Sequence, residues 1–506
     1  MGKPKSLGAN TPAKPQIVVR GRQLRDVVTA AWKATLAAND PPVMFQRSGQ
    51  IVRIQRDESS AHIEPLNQDA VYGRLGRVAD WVCATNSSAK PVFPPREVAR
   101  DMLAYPSEAL PRLHEVLFAP AFGTFGQLLD RSGYHPSDAV WIELPNGLAV
   151  DPVAVNPSDD AVASARSLLL DELLVDFPFV DNSDRAHMVS AILLPSARRL
   201  VLGSTPLHLV ESPAPGTGKG LLGSLPSLTA TGHGLEAGTL PREEDEIRKK
   251  ITSELLAGRP IIAFDNADPH RVIDSSALAA VTTADHWTDR ILGQSRSVTL
   301  PNRALWILTG NNPRLSTELA RRCVRIRIDA KVDQPWRRTD FRHPDLLRWV
   351  YQQRGALIHA ALTLVQAWIA RGRPLATERL GSFECWSEVM GGILEVAGVP
   401  GFLGNLDALH NFADEEGALW REFVDIWWQT YQGRPAGVSE LVKICANNDL
   451  LTPVLGGGTD RSQAIRLGNA LKNARDRVYG EHRICHVRDR HSKQNEYFIQ
   501  RMEPAR

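Results

Sequence analysis

Cysteine is scarce in this chain. Five residues, Cys83, Cys323, Cys385, Cys445 and Cys485, are spread over 506 positions. No C-x-x-C pair occurs, which argues against a disulfide framework and a zinc ribbon. His482, Cys485, His486 and His491 crowd together, but their spacing matches no standard zinc pattern. Long apolar runs are also missing. None approaches the roughly 20 residues that a membrane-spanning helix needs. The opening Met1-Gly-Lys-Pro-Lys5 has no apolar signal-peptide core, and Gly2 with Ser6 fits only the short myristoylation pattern. A surplus of one charge is absent too: 59 Lys and Arg face 57 Asp and Glu. The chain is not a polycation, and a cytoplasmic protein without a membrane partner is expected, in a bacterial or phage-infected cell.

The charge is uneven, however. Residues 461–506 hold 11 Lys and Arg against 5 Asp and Glu, a local basic module suited to an anion such as DNA. Residues 1–16 read as a flexible polar tail. Residues 17–157 read as an α+β domain. In it, 43–54 suggests a hairpin turning at Ser48-Gly49, 69–82 a helix, and Pro94-Pro95 the start of another. Residues 158–205 read as helices with a leucine stripe at 168–174. From there to 330, apolar strands alternate with helices, as in a parallel α/β sheet. Residues 331–432 look all-helical, and 433–506 carry two helices and a hairpin.

The most specific stretch is Glu211-Ser-Pro-Ala-Pro-Gly-Thr-Gly-Lys-Gly-Leu-Leu222. It follows the apolar run 207–210, and apolar residues resume after Lys219. Strand, glycine turn, lysine and helix form the layout of a phosphate-binding loop. Gly216 and Gly218 let backbone N–H groups point inward at phosphate oxygens. Lys219 reaches for the β- and γ-phosphates. Pro215, Thr217, Gly220 and Leu221 complete the stretch that would hold the nucleotide. Two positions depart from GxxxxGK[ST]. Pro213 replaces the first glycine, and Gly220 replaces the hydroxyl residue that holds Mg²⁺.

Three further segments follow at regular intervals. The strand Pro260-Ile-Ile-Ala-Phe-Asp-Asn266 ends in Asp265, 46 positions after Lys219 and suited to Mg²⁺. Asn266 stands where many ATPases have a basic Glu. Glu246 is a possible substitute, but an ordinary solvated helix face explains it more simply. The strand Ala304-Leu-Trp-Ile-Leu-Thr-Gly-Asn-Asn312 ends in Asn311 and Asn312, 46 and 47 positions after Asp265, which suit a water-positioning role. Leu319-Ala-Arg-Arg-Cys-Val-Arg-Ile-Arg-Ile328 passes from a helix with paired arginines into an alternating strand. Arg322, with Arg321 second, is placed to neutralise charge on a neighbour's phosphate.

The order and spacing of these four segments resemble those of the AAA+ ATPases. The nearest likeness is to the helicase-like replication ATPases of phages, plasmids and integrative elements, including the MCM-like helicases of staphylococcal cassettes. ESPAPGTGKGLL, ITSELLAGRPIIAFDN, WILTGNN, LARRCVRIRID and GSFECW carry it, over roughly residues 160–400. The resemblance implies a multidomain α/β protein: an AAA+ P-loop core at 158–330, a helical lid at 331–432 and an N-terminal α+β domain. It implies a ring, usually a hexamer, with ATP between subunits. It implies a DNA-gripping hairpin at 291–300, making Arg296 a contact, and a lid arginine, Arg379, on the γ-phosphate.

At the C-terminus, the periodicity predicts a helix over 464–479 with Leu467, Ala470, Leu471, Ala474 and Val478 on one face. Arg466, Lys472 and Arg475 lie elsewhere on it. A hairpin of 482–487 with 496–499 follows, its turn carrying Arg488, Arg490 and Lys493. Two helices and a basic two-stranded wing are winged-helix layout, and these basic residues suit DNA phosphates. The sequence thus points to an ATP- and Mg²⁺-dependent, ring-forming DNA helicase of a mobile element or phage. A primase or polymerase would be a separate partner, because no primase carboxylate cluster is present. A helicase loader or initiator, and an ATP-gated scaffold without turnover, are the alternatives.

Overall fold

The apolar runs of the middle third are strands of one sheet. In the computed structural model, which describes residues 14–57, 61–84, 88–235, 238–290, 297–488 and 495–502, this sheet has five parallel strands. They are β1 (Leu207–Ser212), β2 (Gly238–Thr239), β3 (Ile261–Ala267), β4 (Leu305–Asn311) and β5 (Cys323–Arg327), in the order β2-β3-β4-β1-β5. Because β1 sits between β4 and β5, the chain leaves it for the far edge and returns on the other side. Ligands of open parallel sheets bind beyond the carboxyl ends of strands at such a reversal. Both faces are covered, so β1 is buried along its whole length and reads as a continuous apolar run rather than an alternation.

Two helices link the strands that matter most. Helix α1 (Lys219–Thr231) follows β1, and α2 (Glu244–Ala257) precedes β3. The main core adds α3 (Leu346–Ala370), whose Leu357, Ala361, Leu364, Val365 and Trp368 are buried at helical spacing. Each such leucine stabilises the fold by roughly 1.5–3 kcal/mol. The leucine run at 168–173 is a π-helical turn after the helix Asp159–Ser167, where a plain α-helix was expected. The wider turn brings Leu169, Leu173 and Leu174 to the same core.

Residues 14–157 form helices and small sheets, as expected. The hairpin Phe45–Arg47 with Gln50–Arg56 turns at Ser48 (φ 48°) and Gly49 (φ 73°), the left-handed pair that a two-residue hairpin loop requires. The helix expected over 69–82 stops at Val78, and Asp80–Ala84 is a strand paired with Gln16–Val18. Burial of Trp81 and Val82 in a sheet overrides the local helical pattern. These residues pack with the parallel sheet into one unit, Met1–Leu406. A buried ion pair at 2.5 Å, Arg199 with Glu115, helps to join them.

The second unit is Asp407–Arg506. Its start precedes the boundary read at 433, because Trp420, Phe423, Val424 and Trp427 share a core with Leu441, Leu467 and Ile499. Helices Val438–Asn448 and Asp460–Ala474 and the hairpin His482–Arg488 with Asn495–Arg501 are present. The predicted helix over 464–479 ends early at Ala474, and Val478, expected on its apolar face, is exposed. The chain leaves the helix there to pair Val478–Tyr479 with the hairpin. No helix among the described residues is long and apolar enough to cross a membrane.

Candidate phosphate-loop site

β1 ends at Ser212 and turns through residues 213–218 into α1. Gly216 (φ 77°) and Gly218 (φ 100°) are left-handed. A Cβ on Gly216 would lie 2.9 Å from Trp336 Cβ, so both conformation and space demand glycine. The turn is pinned from inside. Ser212 Oγ and buried Thr217 Oγ1 each donate to the Ala214 carbonyl at 2.8 Å. Thr217 is therefore a scaffold residue. Pro215 is exposed, and Leu221 packs on the main core.

Gly218 is the N-cap of α1 and supplies no side-chain acceptor. The first N–H groups of this 13-residue helix and its dipole face outward from the turn. Lys219 is half-buried at its first position. Among the described residues, no hydrogen bond or ion pair engages its Nζ. Gly220, one step on, has nothing within 4 Å of where a Cβ would stand.

The polar ends of β3 and β4 lie alongside. Ser212 is in register with Asn311, and its hydroxyl donates to Asn311 Oδ1 at 3.3 Å. Thr309 Oγ1 donates to Asp265 Oδ1 in a short hydrogen bond and accepts from Asn266 N at 3.1 Å. The register between β3 and β4 breaks between Phe264 and Ala267, and Asn266 is left-handed (φ 57°) and exposed. This bulge turns Asp265 toward Thr309 and Asn266 toward solvent. Asn312 N donates to the Ser212 carbonyl at 3.1 Å, while its buried Oδ1 has no partner. The residues thus fit a phosphate group: two left-handed glycines, an open helix N-terminus and an unengaged lysine. They fit Mg²⁺ less completely, since Asp265 supplies a carboxylate but position 220 supplies no hydroxyl.

Four residues here escaped the sequence reading. Thr309 is the first, and its signal was a lone hydroxyl inside an apolar strand. The others are Glu211, Arg325 and Arg327. Glu211 Oε1, buried on β1, accepts from Arg325 Nε and Arg327 Nη1 of β5, both at 2.6 Å. Arg325 and Arg327 alternate with apolar Val324 and Ile326, so both fall on one face of β5. Only the pairing of β1 with β5 shows which acid they meet.

The remaining sequence candidates divide three ways. Arg322 pairs with Glu318 at 2.6 Å and is mostly buried, whereas neighbouring Arg321 is exposed. Arg379 pairs with Glu388 at 2.7 Å, and Glu246 with Lys249 at 2.6 Å on a solvated helix face. Arg466 donates to the carbonyls of Leu455 and, at 2.7 Å, Gly457, which closes the loop before its own helix. Lys472 is exposed, and exposed Arg475 lies 3.4 Å from Asp476. Arg296, Arg490 and Lys493 lie outside the described residues, as does the Arg488 side chain. The strands that flank Arg296, His286–Arg290 and Ser297–Pro301, do form an antiparallel hairpin.

No family model matches this chain, and no curated protein does. Among solved structures, it aligns with the NrS-1 C-terminal region at 10% identity, covering 89% of this chain and 97% of that one, with a TM-score of 0.35. A second structure of that region, residues 305–718, gives 11% identity, 89% and 96% coverage and a TM-score of 0.36. The JCV helicase gives 12% identity, 51% and 72% coverage and a TM-score of 0.20. At these scores the likeness carries no argument about this chain.

Proposed function

We propose that this chain is an ATP-driven DNA translocase that forms a ring, usually a hexamer, and works as a helicase in the replication of a mobile element or phage. One observation carries the reading: a glycine turn and helix N-terminus beside two polar strand ends, with Ser212 bonded to Asn311 and Thr309 to Asp265. Bound ATP–Mg²⁺ would supply a phosphoryl group for transfer to water. The N–H groups of 216–220 and Lys219 hold the phosphates. Asp265 holds the ion or its water, with one oxygen fixed by Thr309. Asn311 and Asn312 orient the attacking water. Arg322 of a neighbouring subunit stabilises the developing charge after leaving Glu318, and Arg379 does so from the lid after leaving Glu388.

In this proposal residues 433–506 act as a winged helix whose Lys472, Arg475, Arg488, Arg490 and Lys493 contact DNA phosphates, and Arg296 grips DNA from the 286–301 hairpin. A primase or polymerase joins as a separate chain. A second reading, an ATP-gated DNA scaffold, is favoured by exposed Asn266, which cannot accept a proton where a carboxylate would. A loader or initiator differs from the helicase in lacking strand displacement. The test is ATP hydrolysis with and without single-stranded DNA, with Lys219→Ala as the blank. DNA-stimulated turnover that the substitution abolishes supports a motor. Nucleotide binding without turnover overturns it in favour of the scaffold.

A further inference from the structure

A second cationic site lies away from the phosphate loop. Arg47, Ser48, Arg112, His114, His286 and Thr299 line a cleft of about 300 Å³ that opens to solvent. Its floor is Arg47, which is 5% exposed. The Arg47 guanidinium donates to the carbonyls of Leu255 and Leu256 at 2.8 and 2.5 Å, capping the C-terminus of α2, while its buried Nε has no partner. Its rim is Arg112 and His286, both exposed, with the exposed Thr299 hydroxyl 2.9 Å from that of Thr288.

The charge here is unbalanced. Arg303, Arg47 and Arg112 act on His114, with Glu115 as the opposing carboxylate. Arg198 adjoins Arg303, Arg199, Glu115 and Asp285, and Arg199 also acts on Asp138, so five guanidiniums share three carboxylates. Arg199 takes Glu115 in the buried ion pair. Arg198 spends its donors on the carbonyls of Val201, Gly203 and Asn302. Burial, together with Arg303, Arg47 and Arg112, lowers the His114 pKa from its ordinary value. Guanidiniums held this close in excess over the carboxylates call for an external anion.

We infer that this cleft binds the phosphodiester backbone of nucleic acid, with Arg112 and His286 reaching phosphates and Arg47 setting the potential at its floor. Two features favour a polymer over a free phosphate. The site is an open cleft rather than a closed cradle. One wall is built by the paired strands His286–Arg290 and Ser297–Pro301, so a strand seated in the cleft continues along exposed Thr288 and Arg290. Phosphate contacts of this kind give affinity without sequence reading. The inference rests on DNA being a partner, but not on nucleotide turnover.

Anisotropy of a labelled single-stranded oligonucleotide, measured without nucleotide over a salt series, tests it. Arg112→Glu should weaken binding about 10-fold for two unrelated sequences, and Arg112→Ala should lower the salt slope by about one. Arg112→Lys should restore most of the affinity, and labelled-ATP binding should stay unchanged in all three. A photo-crosslinker on Thr299→Cys should label the oligonucleotide, and Arg112→Glu should remove that label. Unchanged DNA binding and no crosslink in folded variants would overturn the inference. So would loss of ATP binding in Arg112→Glu with DNA binding intact, which would make the cleft a mononucleotide site. Failure of ATP turnover in the parent chain would count against the motor reading alone.

Discussion

The candidate phosphate loop and the basic cleft are both suited to anions, yet they are built in opposite ways. The loop uses backbone: two left-handed glycines, the start of α1 and one lysine, all within a few consecutive residues. The cleft uses side chains: Arg47 and Arg112 come from the N-terminal hairpin region, and His286 and Thr299 from a hairpin more than a hundred positions later. Backbone donors hold a fixed, compact group such as a terminal phosphate. Guanidiniums at the floor and rim of an open cleft suit a phosphate of a continuing backbone. Local chain geometry made the first, and tertiary packing made the second.

The largest expected effect separates the two. Lys219→Ala should reduce ATP turnover by at least roughly 100-fold, since it removes a charge-stabilising donor from the reacting phosphates. The same protein should still bind single-stranded DNA normally in a nucleotide-free anisotropy assay. Loss of both activities would mean that one site, not two, serves both anions. Next comes the strand that carries the loop. Glu211→Gln leaves Arg325 and Arg327 facing each other without a carboxylate. It should cost about 3 kcal/mol, read as a fall in denaturant midpoint, with the DNA affinity of the cleft unchanged while the protein is folded.

Arg112→Glu follows, at about 10-fold in DNA affinity. Gly220→Ser should act in the reverse direction. The position lies in a helix with open space around it, so a serine hydroxyl can enter beside the phosphates. Helix propensity alone should add roughly 0.5 kcal/mol of stability. If Asp265 lacks only this partner for Mg²⁺, turnover should rise several-fold at limiting magnesium. Unchanged magnesium dependence would show that the missing carboxylate at Asn266 limits the site.

The smallest effect is a pH dependence confined to the cleft. Burial first, then Arg303, Arg47 and Arg112, depress the His114 pKa, against a raising contribution from Glu115. A depressed histidine contributes stability above its unfolded value of about 6.5, and that stability is lost as pH falls through the folded value. DNA phosphates would offset the cost of protonation. DNA affinity should therefore rise as pH falls below about 6.5, and in a His286→Gln background His114→Gln should flatten the part of that rise that remains in the same titration.

Much of the loop site was legible in the residues. The Gly216-Thr-Gly-Lys219 turn is local, and Asp265 and Asn311 sit at the ends of apolar runs that any parallel sheet would align. The fate of Thr309 was not legible, because its bond to Asp265 depends on β3 lying next to β4 with a bulge at Asn266. Arg322 and Arg379 could be named as free cations from their positions, but Glu318 and Glu388 engage them once helices set the spacing. Nor could Arg466 be told from Lys472, although one closes a loop and the other faces water. The helix read over 464–479 stopped at Ala474 because strand pairing competed with a pattern that continued.

The sequence by itself determined the strands, the glycine turn and the lysine, since φ preference, burial and chain adjacency act over a few residues. The tertiary structure alone decided which charges meet. It joined Glu211 to Arg325 and Arg327, and it gathered Arg47, Arg112, His114 and His286 around one cleft. Electrostatic energy depends on distance through space and on burial, and neither is a property of position along the chain.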